Sequence, residues 1–151
     1  MPAVEKSKLI VLWGRGSIGK TATLRKLIDA LLDAGAVQLS GSPPDEGKGD
    51  CWAVLEYNGR RIAVITAGDS ANDLEWYFKK VTVVCDVYVC ASRSRGGACK
   101  YLEERFAGHD IMWQAKWSIT QQSNDTKILD MLRSQANQAQ AAGLLAAIES
   151  L

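Results

Sequence analysis

Gly14-Arg15-Gly16-Ser17-Ile18-Gly19-Lys20-Thr21 gathers glycines, a lysine and a hydroxyl within one short stretch. Those residue types at that spacing suit the binding of a phosphate chain. Glycines let a loop wrap an anion without side-chain clashes. Backbone N–H groups of such a loop, at the positive end of a following helix, form an anion nest. Lys20 adds a compact positive charge, and the Thr21 hydroxyl is a hard oxygen donor suited to Mg2+. The candidate phosphate-binding set is Gly14, Arg15, Gly16, Ser17, Ile18, Gly19, Lys20, Thr21 and Ala22.

Other residues could join this chemistry. Asp69 closes the run Ile62-Ala63-Val64-Ile65-Thr66-Ala67-Gly68-Asp69 and is a candidate metal donor beside Thr21, or simply a helix cap. Arg93 and Arg95, in Ser92-Arg93-Ser94-Arg95-Gly96-Gly97, follow a valine-rich strand. Arginines at that sheet edge can stabilise charge on a transferring phosphoryl group, or stand as solvated loop residues. Lys20, Asp69, Arg93 and Arg95 are the catalytic candidates. Asp45 and Glu46 are further acids within reach of a metal if their loop closes. The single histidine, His109, reads as a polar loop residue, and no residue stands out as a general base.

The elements that must position these groups follow from periodicity. Lys8-Leu9-Ile10-Val11-Leu12-Trp13 is a continuous apolar run, as expected of a strand covered on both faces. A helix is predicted over 21–33, with Leu24, Leu27, Ile28, Leu31 and Leu32 at helical spacing and Gly35 as the stop. Residues 35–50 hold Gly41, Pro43, Pro44, Gly47 and Gly49 and read as a flexible loop. Strands over 51–57 and 60–66 flank Asn58-Gly59, the preferred two-residue hairpin turn. Asp69 or Ser70 would cap a helix ending at Lys80. A strand over 83–91, a helix over 98–106 and a strand over 111–119 come next. A C-terminal helix over 125–151 is capped by Asn124 or Asp125, with Ile128, Leu132, Ala136 and Ala139 on one side. Strands alternating with helices predict an α/β three-layer sandwich. Its sheet is mostly parallel, with one antiparallel hairpin strand.

Residues 14–21 satisfy Gly-x-x-x-x-Gly-Lys-[Ser/Thr] in full, the Walker A pattern. Through it the chain resembles the P-loop NTPase superfamily. A chance match in a chain of this length is on the order of half a percent at ordinary residue frequencies. The resemblance implies a P-loop NTPase fold. It also implies phosphates held by the loop and Lys20, with Mg2+ held by Thr21 and a carboxylate at the end of a neighbouring strand, here Asp69. The hairpin followed by Thr66-Ala67-Gly68 also resembles Ras-like small GTPases, whose equivalent stretch begins with aspartate where this chain has Ile65. Asn124-Asp125-Thr126-Lys127 is not the Asn-Lys-x-Asp guanine motif, so ATP is expected ahead of GTP.

Three functions fit. The first is a small Mg2+-dependent NTPase, the second a phosphotransferase acting on a nucleoside, nucleotide or small metabolite. The third is a slow-turnover nucleotide switch whose 35–50 loop or C-terminal helix contacts a partner or a second copy.

Composition bounds the rest. The chain has 151 residues and a formal net charge of +1, so bulk charge gives no nucleic-acid signal. A single nucleotide-binding domain over 1–151 is expected, with little room for a second one. No run of about 20 apolar residues predicts a membrane span, and no signal-peptide core is evident, so a cytoplasmic location is expected. Cys51, Cys85, Cys90 and Cys99 lack metal-site spacing and read as buried, reduced thiols.

Overall fold

An apolar run with no polar side must be covered twice, and Leu9, Ile10, Val11 and Leu12 of β1 (Lys8–Trp13) are all buried. The computed structural model describes residues 7–16, 18–42, 49–118 and 124–151. Ile10 and Leu12 point to one side of the sheet, against Leu24, Leu27 and Leu31 of α1 (Lys20–Asp33) and Ala141, Leu144 and Ile148 of α4 (Thr126–Glu149). Leu9 and Val11 point to the other side. They meet Leu74 and Phe78 of α2 (Ala71–Lys80) and Ala98 and Leu102 of α3 (Gly97–Arg105). The result is an α/β molecule with a mixed six-stranded sheet between two helical layers.

The remaining strands are β2 (Val37–Gly41), β3 (Trp52–Tyr57), β4 (Arg60–Ile65), β5 (Val87–Ser92) and β6 (Asp110–Ala115), and the spatial order is β2-β3-β4-β5-β1-β6. Only β3 runs against the others, pairing antiparallel with both β2 and β4. Asn58 and Gly59 take φ of 52° and 75°, the positive values a tight hairpin turn requires.

Several boundaries differ from the sequence reading, each for a local reason. Residues 37–41 form an edge strand inside the stretch expected to be a loop, since the prolines fall only after Gly41 and the edge needs no outer partner. Residues 43–48, with Asp45 and Glu46, lie outside the described residues. The strand expected over 83–91 begins at Val87; the Asp86 carboxylate takes the Arg61 N–H at 2.8 Å, and Val83 and Val84 before it are exposed. The last strand ends at Ala115 rather than 119. Beyond it the buried Gln140 side chain captures the Trp117 N–H at 2.8 Å and draws the chain off the sheet. Ile119 lies outside the described residues.

Asp125 caps α4 by accepting from Lys127 and Ile128 N–H. The buried face is Asn137, Gln140, Ala141, Leu144 and Ile148, not the expected Ile128, Leu132, Ala136 and Ala139. The buried residues of this helix, about 36 Å long at 1.5 Å per residue, all lie from Asn137 onward, and that part packs towards α1 and the sheet. Ile128 and Met131 in its first half are exposed. All four cysteines are free, but only Cys85 and Cys90 are buried. Cys51 and Cys99 are half-covered near the carboxyl ends of the strands. Among the described residues, no helix is long and apolar enough to cross a membrane.

Candidate functional site

The glycine loop leaves β1 at the carboxyl edge of the sheet and enters α1 through Gly19, whose φ of +96° is left-handed. No side chain caps this helix start among the described residues, and its first internal bond is Thr23 N–H to Gly19 O at 2.9 Å. The amides of Lys20, Thr21 and Ala22 precede that bond, the positions whose N–H groups have no partner within the helix itself. A Cβ on Gly19 would come 3.0 Å from Asn137 Oδ1, so α4 closes tightly over the loop. Ser17 lies outside the described residues.

Lys20 is 6% exposed, unusual for a lysine. Its ammonium donates to Gly14 O and, at 3.1 Å, to Ser92 O, spanning the ends of β1 and β5. Burial lowers its pKa below the ordinary lysine value. The Asp69 carboxylate works against that shift, and the Arg93 cation adds to it.

Asp69 follows β4, which is not the immediate neighbour of β1: β5 stands between them. Gly68 makes the approach. A Cβ there would lie 2.0 Å from Ala91 O, so only glycine lets this segment cross the end of β5. Asp69 then faces Arg93, with Nε 3.4 Å from Oδ1, while Ser70 caps α2 by accepting from Asp73 N–H. The Arg93 guanidinium also lies over the glycine loop, where a Cβ on Gly16 would meet it at 3.2 Å. Lys20, Asp69 and Arg93 are therefore brought together. Arg95 is exposed in the same loop and makes no hydrogen bond or ion pair among the described residues.

Asp50 is a residue the sequence reading did not single out. Its Oδ1 accepts from the Thr21 hydroxyl at 3.0 Å and lies 3.0 Å from the Thr66 hydroxyl. The signal was available by counting. A two-residue turn at Asn58-Gly59 sets Trp52 opposite Ile65, so Asp50 and Cys51 must return to the end of β4. Ile65, where the Ras-like pattern has its aspartate, is buried in the core.

Two cavities flank the loop. One of about 350 Å3 is bounded by Arg15, Ile18, Gly19, Lys116, Trp117 and Asn137 among others. Gln140 fixes its rim, since its amide also donates to Ala115 O at 2.8 Å. Burial lowers the Lys116 pKa, and its ammonium bonds to Trp117 O. A second cavity, about 340 Å3, is lined by Trp13, Ser94, Cys99, Glu103 and Trp113. Cys99 sits where α3 begins, with Sγ 3.1 Å from Ser92 Oγ. His109 lies elsewhere, its Nδ1 3.1 Å from Ser7 O and its ring against Phe106. Comparison with family models, with curated proteins and with solved structures finds no match.

Proposed function

We propose that this protein is a small Mg2+-dependent nucleoside triphosphatase of the P-loop type, acting on ATP in preference to GTP. The observation that carries the reading is the pairing of Lys20 with an open helix start. A buried ammonium and a helix start without a side-chain cap among the described residues lie together at the exit of β1, with the Thr21 hydroxyl in the next position. A triphosphate would lie along the loop. Lys20 would exchange its carbonyl partners for β- and γ-phosphate oxygens, a stronger charge-assisted contact. Mg2+ would supply further charge neutralisation, and the hydroxyl and carboxylate oxygens around Thr21 are the hard donors it takes. Water would attack the γ-phosphorus in line as its bond to the β,γ-bridging oxygen breaks, releasing ADP and inorganic phosphate and giving up its proton to phosphate oxygen or solvent. Arg93, poised over Gly16, would stabilise the charge spread over the transferring group.

The 350 Å3 cavity beside the loop is of a size to take a nucleobase. Trp117 offers a stacking face and Asn137 an amide, and no carboxylate lines the cavity among the described residues. The preference for ATP rests on the sequence, which lacks the Asn-Lys-x-Asp guanine motif.

The test is nucleotide binding and phosphate release with purified protein, Mg2+ and ATP or GTP. Lys20→Ala is expected to weaken ATP binding at least tenfold and abolish phosphate release. Unchanged binding in Lys20→Ala would refute the reading. Phosphoryl transfer to a second substrate is favoured by one observation, the neighbouring cavity that combines Trp13 and Trp113 with the Glu103 carboxylate. Acceptor-dependent ADP formation would distinguish it from hydrolysis.

A further inference from the structure

We infer that Asp50, rather than Asp69, is the carboxylate that holds Mg2+ opposite Thr21, and that Arg25 and Thr66 serve to aim it. The inference rests on the nucleotide reading above and refines its metal site. Mg2+ at a phosphate site keeps several waters and takes one or two carboxylates plus phosphate oxygens. Among the described residues, no three His, Cys, Asp or Glu side chains converge. The protein's share of the coordination is therefore small, and a single well-placed carboxylate decides it.

The two candidates differ in their partners. Asp69 Oδ1 faces the Arg93 guanidinium at 3.4 Å, and a cation at that distance competes with a metal. Asp50 Oδ1 instead receives the Thr21 hydroxyl at 3.0 Å, placing carboxylate and hydroxyl oxygens side by side. A hydroxyl that donates its proton to a carboxylate keeps its lone pairs for a metal. Thr66 also reaches Oδ1, so among the described residues Oδ2 keeps its lone pairs as well.

Asp50 is held from both flanks. Arg25, one turn after Thr21 on α1, donates twice to Gly49 O, at 3.0 and 2.6 Å. On the other side, Thr66 Oγ1 accepts from Cys51 N–H at 2.8 Å and shares its own proton between Asp50 Oδ1 and Cys51 O. The Thr66 N–H donates to Cys51 O at 3.0 Å and closes the pairing. One face of α1 thus carries both the hydroxyl and the clamp for the carboxylate. Thr66, just past the end of β4, thus holds an acid supplied from the segment that leads into its antiparallel neighbour β3.

The experiment measures ATP affinity by calorimetry in EDTA and again with Mn2+, whose binding is read independently by electron paramagnetic resonance. The wild-type chain is expected to bind ATP more tightly with Mn2+. Asp50→Asn should leave affinity in EDTA unchanged or improved, while losing at least tenfold of the Mn2+ enhancement and the bound-Mn2+ signal. Asp69→Asn should retain both. Asp50→Glu, which keeps the charge, should recover part of the enhancement and serves as the readout if the Asn variant unfolds. Full enhancement in Asp50→Asn, no recovery in Asp50→Glu, or loss confined to Asp69→Asn would each overturn the assignment while leaving nucleotide binding intact. Failure of the wild-type chain to bind ATP or GTP at all would instead overturn the nucleotide reading, and the metal assignment with it.

Discussion

Arg93 illustrates how little a surface ion pair fixes a side chain and how much its position can matter. Both partners of the Arg93–Asp69 pair are more than half exposed, at 52% and 59%. A pair so open to solvent contributes about 0–1 kcal/mol to stability. Arg93→Ala should therefore leave the denaturant midpoint nearly unmoved. Under the hydrolysis proposed above, the same substitution should lower phosphate release on the order of 10²-fold, the usual effect of removing a cation that meets transition-state charge. Equal turnover in wild type and variant would show that the guanidinium plays no part in the chemistry. Lys20 differs because it is buried and held by two carbonyls, so it was recognisable from its motif and is fixed by its surroundings. Asp50 matches no motif, because its partner Thr21 lies 29 positions away and only the hairpin returns it there.

Among the elements, the β4–α2 connection has the tightest constraint at the site. Gly68 passes so close to β5 that a Cβ would lie 2.0 Å from Ala91 O and 2.7 Å from Ser92 N. These contacts are backbone, so no side-chain rotation relieves them. Gly68→Ala should cost roughly 1–3 kcal/mol or more, the range for forced overpacking, and displace Asp69. Chemical denaturation measures the first effect, and wild-type stability in the variant would contradict the close approach. Beyond the edge strand β6, Gln140 on α4 accepts from Trp117 N–H and donates to Ala115 O. That polar, buried glutamine explains why the apparent alternation past Ala115 did not continue as a strand. Side-chain amides can replace a ladder partner, and periodicity contains no trace of such a substitution. The helical periodicity of α4 was legible, but its buried face was not. Ile128 and Leu132 are apolar enough to be core, yet the sheet ends before it reaches them.

For the whole molecule, the buried thiols set a pH dependence. Cys85 is 1% exposed, and burial pushes its thiol from the ordinary 9 up to about 11; the deeper Cys90 is pushed up as well. A raised thiol pKa means that the unfolded chain loses the proton first. The contribution is fully present below pH 9 and is lost as pH rises towards 11. Tyr77, Tyr88 and Tyr101, raised chiefly by burial, act in the same direction. Lys20 and Lys116, lowered by burial, act in the opposite one below their ordinary value of 10.5. Comparison with Cys85→Ala isolates one thiol. The stability advantage of the wild type over that variant should shrink by about 2 kcal/mol between pH 8 and 11. A constant difference across that range would contradict the burial-driven shift.

Elements with local signals were legible from the residues alone. An apolar run had to be a covered strand, Asn58-Gly59 had to be a turn, and a glycine-rich stretch before an amphipathic helix had to be the connection between that strand and the helix. Hydrophobic period, turn geometry and backbone freedom act over a few residues, so a few residues suffice to read them. The tertiary structure decided what depends on strand order and register. It put β5 between β1 and β4, turned Asp69 towards Arg93, and returned Asp50 to Thr21. Those outcomes depend on which strands pair and how many residues separate them from a turn. Contact between distant positions is a property of the assembled sheet, not of any one segment.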